Sequence, residues 1–201
     1  YYFKGDYDSA IVYYNKAIAT DSQYVNAYSN LGTAYHIQAD YDKAIFHFKK
    51  AIEINPKDAS LYNNLGKAYN KKSDFKNAIL YLKKALAINP QLSDAYFNFG
   101  MIYKNKRNLD SAEINFKRAI TLNPKHSQAY YQLGIVYVDK RKFQDAKHKF
   151  EHAILINPRY TEAYNKYGVV FLANGDVNTA ISYFNRAIEI DPQFAEAFYN
   201  L

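Results

Sequence analysis

The sequence predicts an all-α fold in which antiparallel helix pairs stack into a solenoid, and three repeating features predict it. Five glycines recur every 34 residues, at Gly32, Gly66, Gly100, Gly134 and Gly168. All the prolines follow the same period, at Pro56, Pro90, Pro124, Pro158 and Pro192. Two alanine columns run in register with them, from Ala10 to Ala180 and from Ala17 to Ala187. These columns contain no insertion, and so regular a period is typical of a repeat protein.

Each repeat is predicted to form two helices. In residues 25–58, apolar side chains recur at three- and four-residue spacing over 25–38, which indicates a first amphipathic helix. A turn is expected at 39–41, followed by a second amphipathic helix. That helix ends before Pro56, because proline cannot continue the hydrogen-bond ladder and disfavours an α conformation in the residue before it.

The period divides the chain into five complete repeats and two partial ones. The complete repeats are 25–58, 59–92, 93–126, 127–160 and 161–194. A partial repeat at 1–24 precedes them, and the start of another follows at 195–201. One helix pair cannot bury its apolar faces alone, so we expect a single repeat array over residues 1–201. Because the chain starts and stops inside a helix pair, we expect a fragment of a longer repeat protein.

The columns resemble the tetratricopeptide repeat family. The family pattern corresponds to Tyr28, Leu31, Gly32, Tyr35, Ala44, Phe48, Ala51 and Pro56. The departures are small: Ser22 replaces the first proline, Phe99 and Tyr167 replace leucine, and the turn glycine remains only at Gly5 and Gly175. The resemblance implies a right-handed superhelix whose first helices line a concave groove, which holds an extended peptide or a partner helix.

The groove is predicted to display an asparagine row. Residues two and three before each repeat glycine, and one and five after it, are expected to face away from the packed side. The position two before the glycine holds Asn30, Asn64, Asn98, Gln132, Lys166 and Asn200. A side-chain amide can pair with both backbone groups of an extended peptide, and the row resembles the asparagine ladder of O-linked N-acetylglucosamine transferases. The alternative is that asparagine, which is common here, is simply tolerated on a wet surface.

Other predicted groove residues change character along the chain. In the second complete repeat they are polar, Asn63 and Lys67. In the next two repeats they are apolar, Phe97, Met101, Tyr131 and Ile135. Exposed apolar groups on a groove wall favour an anchor for a hydrophobic partner residue, and ordinary helix packing is the alternative. No lysine lies three or six residues before a repeat glycine, so a clamp for a chaperone carboxylate tail is not expected.

A basic edge is predicted at the turns between the two helices of the middle repeats. It comprises Lys71, Lys72, Lys104, Lys106, Arg107, Lys140, Arg141 and Lys142. Stacked turns would form a ridge that attracts an acidic protein segment, an anionic membrane surface or nucleic acid. Nucleic acid is disfavoured because most aromatic side chains are expected in the core. The alternative is an ordinary solvated surface.

Composition restricts the function. The 201 residues are 49% hydrophobic and 22% charged, with a formal charge of +7. Cysteine is absent, which excludes thiol nucleophiles and leaves the compartment open, with a soluble cytoplasmic protein favoured. No apolar run is long enough for a transmembrane helix. His148 and His152 have the spacing of metal ligands, but their lysine neighbours favour an ordinary surface pair.

We therefore expect a protein–protein interaction scaffold that has no enzymatic activity and no cofactor. One alternative is the targeting region of a larger enzyme, such as a glycosyltransferase, whose catalytic part lies outside this chain. Another is an assembly protein that self-associates through its repeat ends. The tyrosine excess is mainly a scaffold feature, because four repeat columns hold most of the aromatic side chains.

Overall fold

The computed structural model describes residues 7–201, and these residues form α-helices and no β-strand. The helices are α1 (Tyr7–Thr20), α2 (Val25–Ile37), α3 (Tyr41–Ile54), α4 (Ala59–Lys71), α5 (Phe75–Ile88), α6 (Ser93–Asn105), α7 (Leu109–Leu122), α8 (Ser127–Asp139), α9 (Phe143–Ile156), α10 (Thr161–Ala173), α11 (Val177–Ile190) and α12 (Ala195–Asn200). The predicted all-α fold class is therefore confirmed. The turn glycine Gly5 lies outside the described residues.

The repeat assigns two roles to the helices. The first helices are α2, α4, α6, α8, α10 and α12, and the second helices are α1, α3, α5, α7, α9 and α11. The chain divides into two compact units, unit 1 over residues 1–102 and unit 2 over residues 103–201. Within unit 1, α2 packs on α3 and α4 on α5; within unit 2, α8 packs on α9 and α10 on α11. A first helix also packs on the preceding second helix, as α4 does on α3 and α8 on α7.

Four of the repeat glycines, Gly32, Gly66, Gly134 and Gly168, lie where the first helix crosses the second helix of the same repeat. A methyl group added to Gly32 would lie 2.6 Å from the Phe48 ring, and one added to Gly134 would lie 2.6 Å from Phe150. Both rings are buried. A side chain at either glycine would overpack this contact and push the helices apart. The glycine column therefore fixes how closely the two helices of a repeat approach.

The turn between the two helices contains one residue in the left-handed region. This residue is Ala39 (φ 60°), Ser73 (φ 62°), Arg107 (φ 60°), Arg141 (φ 58°) or Gly175 (φ 81°). The next residue caps the second helix in most turns, accepting a backbone N–H with its side chain at Asp40, Asp74, Asn108 and Asp176. The left-handed conformation costs a non-glycine residue about 1 kcal/mol.

Candidate functional site

The predicted asparagine row lies on the first helices, and its members differ in exposure. In unit 1, Asn30 is exposed and Asn64 is half-buried, whereas Asn98 is only 5% exposed. In unit 2, the members Gln132, Lys166 and Asn200 are half-buried. Six positions that are equivalent in the sequence therefore have different surroundings in the structure.

Asn98 is buried, and it is hydrogen-bonded to the preceding first helix. Its Nδ2 donates a 2.8 Å hydrogen bond to Oδ1 of Asn63, which is itself only 6% exposed. The expectation that both residues face away from the packed side is therefore wrong. The amide pair joins α4 to α6, and a polar group is tolerated at such a buried place when it is hydrogen-bonded.

The Asn63–Asn98 pair retains hydrogen-bonding capacity. The bond uses one N–H of Asn98 and one lone pair of Asn63, whereas each side-chain amide has two N–H groups and an oxygen with two lone pairs. The bond itself therefore does not use Nδ2 of Asn63 or Oδ1 of Asn98, which are a potential donor and a potential acceptor.

The same relation recurs in unit 2, three repeats further along the chain. Nδ2 of Asn200 donates a 2.8 Å hydrogen bond to Oδ1 of Asn165, which is fully buried. Nδ2 of Asn165 in turn donates to Glu196 Oε2 at 3.1 Å, and Lys166 Nζ reaches the same oxygen at 3.2 Å. Lys166 and Asn200 of the predicted row thus belong to one hydrogen-bonded cluster between α10 and α12.

Asn165 occupies a predicted groove position, three residues before Gly168, whereas Glu196 was not predicted for the site. The sequence also contains a signal for the pairing of Asn165 with Asn200. An asparagine three residues before one repeat glycine is followed, 35 residues later, by an asparagine of the row. This combination occurs at Asn63 with Asn98 and at Asn165 with Asn200, and the structure pairs both. A cleft of about 520 Å³ adjoins the second pair and is lined by Lys166, Val169, Ala195, Glu196, Tyr199 and Asn200.

Gln132 is held differently from the asparagines. Its Oε1 accepts a 2.6 Å hydrogen bond from Lys104 Nζ, a residue that was predicted for the basic edge. Burial lowers the pKa of Lys104, and Asp139 partly offsets this effect. Lys104 therefore extends towards the first-helix surface of unit 2, where it meets a member of the predicted row.

The four predicted apolar groove residues are all half-buried. Phe97 and Met101 are partly covered in unit 1, as are Tyr131 and Ile135 in unit 2. The ring centroid of Tyr131 lies 5.0 Å from that of Tyr160 and 5.9 Å from that of Phe150. Burial, with nearby Glu162 and Glu196, raises the pKa of Tyr131 to about 12. Tyr131 thus packs on the core while it keeps one side at the surface.

A basic patch lies on the first helices of unit 1. Burial lowers the pKa of Lys67, and the charge of Lys71 lowers it further, whereas Asp94 raises it. Burial, with Lys67 and Lys71, also lowers the pKa of His36 to about 4. His36 is therefore neutral at pH 7, and the two lysines supply the positive charge of this surface.

The predicted basic edge is partly neutralised. In unit 1, Lys72 pairs with Asp42 of the preceding repeat. In unit 2, Lys140 Nζ lies 2.6 Å from Asp110 Oδ1 and 2.7 Å from Glu113 Oε2. Both lysines therefore join a turn to the preceding second helix. The remaining basic side chains of the edge, Lys71, Lys106, Arg107, Arg141 and Lys142, are exposed.

The histidine pair has a local structural partner. Nδ1 of His152 lies 2.7 Å from the backbone oxygen of His148, and Nδ1 of His148 lies 3.8 Å from Glu151 Oε2. Within the described residues, no cluster of three His, Cys, Asp or Glu side chains is arranged to hold a metal ion. The same residues form no helix that is long and apolar enough to cross a membrane.

Models of the tetratricopeptide repeat match the chain over residues 25–58, 59–92, 93–126 and 131–193. A further model of the TPR repeat matches residues 1–38. The chain belongs to the tetratricopeptide repeat family. These matching models describe the repeat and no catalytic family, and proteins of this family bind protein or peptide partners.

Several solved TPR structures are similar to this chain. MamA is 29% identical, with a TM-score of 0.64, over 88% of this chain and 96% of that one. PilW, a type IV pilus biogenesis factor, is 22% identical, with a TM-score of 0.82, over 99% of this chain and 93% of that one. YrrB, a TPR protein with an unusual peptide-binding site, is 22% identical, with a TM-score of 0.62, over 93% of this chain and 96% of that one. No curated protein matches the sequence.

Proposed function

We propose that this TPR chain is a protein-interaction scaffold whose first helices bind an extended peptide through its main chain. The Asn63–Asn98 pair is the observation that carries the proposal. In this proposal Oδ1 of Asn98 accepts a hydrogen bond from a peptide N–H, and Nδ2 of Asn63 donates one to a peptide carbonyl. The bond between the two side chains fixes both before a partner arrives, which reduces the entropy lost on binding.

Contacts with the main chain give affinity without sequence preference, so we assign specificity to the neighbouring side chains. Lys67 and Lys71 favour an acidic partner segment on unit 1. On unit 2, the cleft beside Asn200 offers a different surface, with apolar Val169 and Tyr199 next to charged side chains. In this proposal the chain binds its partner without a cofactor and performs no chemistry on it.

The test uses a peptide selected against the whole chain from a random display library of short peptides. Each backbone nitrogen of that peptide is then methylated in turn, which removes one N–H and leaves every side chain in place. We expect at least one methylated peptide to bind about tenfold more weakly, or ~1.4 kcal/mol. Equal affinity for all the methylated peptides would contradict main-chain recognition.

The matching protein variant is Asn63→Ala with Asn98→Ala, in which neither amide is left without its partner. We expect this double variant to lose the preference for the unmethylated peptide. The control is Asn30→Ala, an exposed member of the same row that makes no such pair. Circular dichroism of both variants separates a loss of binding from a loss of folding.

A further inference from the structure

One column of the second helices is both apolar and exposed in unit 1. Val12 on α1 is 51% exposed, Phe46 on α3 is 55% exposed, and Leu80 on α5 is 46% exposed. Successive members are 34 residues apart, so they occupy equivalent points on three consecutive second helices. They form an apolar row (Val12, Phe46 and Leu80). Single exposed apolar residues are ordinary, but a row of equivalent ones indicates a contact surface.

The repeat does not require an apolar residue at this position. In unit 2 the equivalent residues are Ile114, then His148 on α9 and Ser182 on α11, and all three are exposed. A serine at this point of the repeat is therefore compatible with a folded helix pair. Because the apolar row contributes little to the core of unit 1, its hydrophobicity points to an external contact.

Lysines follow the apolar row on the same helix faces. Lys16, Lys50 and Lys84 each come four residues after a member of the row, which is one helical turn further along. Lys16 Nζ lies 5.4 Å from the centre of the Tyr13 ring, and Lys84 Nζ lies 5.4 Å from that of Tyr81. These aromatic contacts leave the positive charges at the surface.

The middle lysine of this column has an acidic neighbour. Lys50 Nζ forms a 2.7 Å pair with Glu53 Oε2, and Glu53 is 60% exposed. Such an exposed pair is weak and exchanges readily with a competing carboxylate. Lys49 and Lys83 add two further lysines beside the column. The side of the apolar row on which these lysines lie is therefore basic.

We propose that the apolar row is a docking surface for an acidic amphipathic helix of a partner protein. Such a helix presents one apolar stripe with Asp or Glu beside it, and these match the apolar row and its flanking lysines. An anionic membrane carries the same charge as such a helix, and co-sedimentation with vesicles distinguishes the two. The surface lies on the second helices, so the proposal is independent of peptide binding by the first helices.

The experiment uses two labelled helical peptides with the same leucine stripe, one flanked by glutamates and the other by lysines. Fluorescence anisotropy measures the binding of each to the whole chain. We expect the acidic peptide to bind and the basic peptide to bind at least tenfold more weakly. The double variant Phe46→Ser with Leu80→Ser introduces serine, the residue that α11 carries at the equivalent position, Ser182. We expect the acidic peptide to bind this variant at least tenfold more weakly. The control variant is Ile37→Ser, which removes an exposed apolar residue of α2 outside the row.

A second variant reverses the charge of two lysines beside the apolar row. In Lys50→Glu with Lys84→Glu, the preference is expected to pass from the acidic to the basic peptide, with an unchanged circular dichroism spectrum. Equal binding of the two peptides to the wild-type chain overturns the proposal, as does an equal loss in Ile37→Ser.

Two further measurements decide against other occupants. The first is co-sedimentation with vesicles of phosphatidylcholine and phosphatidylserine. If the wild-type chain sediments with them and the double serine variant does not, the partner of the apolar row is a membrane and not a helix. The second is analytical ultracentrifugation. If the mass of the wild-type chain rises with concentration and that of the same variant does not, the partner of the apolar row is a second copy of the chain. Neither effect is expected.

Discussion

The Nδ2 atom of Asn98 donates a 2.8 Å hydrogen bond to Oδ1 of Asn63, and this bond joins two first helices across one repeat boundary. Asn200 bonds to Asn165 in the same way, at the same distance, three repeats further along. Each pair contributes to the packing of its unit and holds polar groups at the surface of the first helices. A stability measurement and a binding measurement on the same residues can therefore separate the two roles.

The stability role predicts that losing one partner costs more than losing both. Asn98→Ala leaves Oδ1 of Asn63 buried without a donor, which we expect to cost about 1–3 kcal/mol. Urea unfolding of Asn63→Ala, Asn98→Ala and the double variant measures the coupling between the two sites. Asn30→Ala serves as the control, with an expected change below about 0.5 kcal/mol because it is exposed. Additive single effects would show that the amide bond contributes nothing.

The left-handed turn residues predict a stabilising substitution. Ala39 has φ 60°, which glycine adopts without a steric penalty, so Ala39→Gly is expected to raise stability by about 1 kcal/mol. The matched change is Gly175→Ala at φ 81°, which should lower stability by about the same amount. Thermal melts of both variants test these two opposite expectations. A change of melting temperature in the same direction for the two variants would refute the strain argument.

The glycine column predicts that even one methyl group is harmful. Gly134→Ala would place Cβ 2.6 Å from the Phe150 ring, in a contact with no free volume. We expect a loss of about 1–3 kcal/mol from overpacking, despite the better helix propensity of alanine. The comparison is Ala173→Gly at the exposed end of α10, where only propensity acts. Unfolding midpoints of the two variants separate packing from propensity.

Because the pKa of His36 is lowered in the folded chain, we expect the chain to lose folding stability on acidification. Its pKa is about 4 in the folded chain, because of burial and the charges of Lys67 and Lys71, against 6.5 for an unperturbed histidine. Above pH 6.5 both states are neutral at this residue and it has no effect. As the pH falls from 6.5 to 4, the unfolded state gains a proton that the folded state does not, so folding weakens.

The half-exposed position of His36 limits this effect to about 1–2 kcal/mol. His36→Leu removes the titrating group and should flatten the stability profile between pH 6.5 and 4 relative to the wild-type chain. His148→Gln, at an exposed position, is the control. Parallel profiles for the wild-type chain and His36→Leu would contradict the assignment.

The repeat period made the fold predictable, whereas the pairing of individual side chains was not. A glycine every 34 residues specifies a close helix crossing wherever it occurs, so the helices of each repeat followed from the sequence. Asn98 looks identical to Asn30 in the sequence, and only the asparagine three residues before the previous repeat glycine distinguishes them. The partners of Lys72 and Lys140 come from the preceding repeat, so local composition overstated the charge of the basic edge.

The most direct test of main-chain recognition follows the two side-chain amides themselves. Heteronuclear NMR of the whole chain, titrated with the selected peptide, records the side-chain N–H resonances of Asn63 and Asn98. Peptide binding is expected to shift both resonances more than that of Asn30, because their free donor and acceptor meet the peptide backbone. If both stay fixed while resonances of the second helices around Phe46 and Leu80 move, the extended peptide does not bind at the first helices.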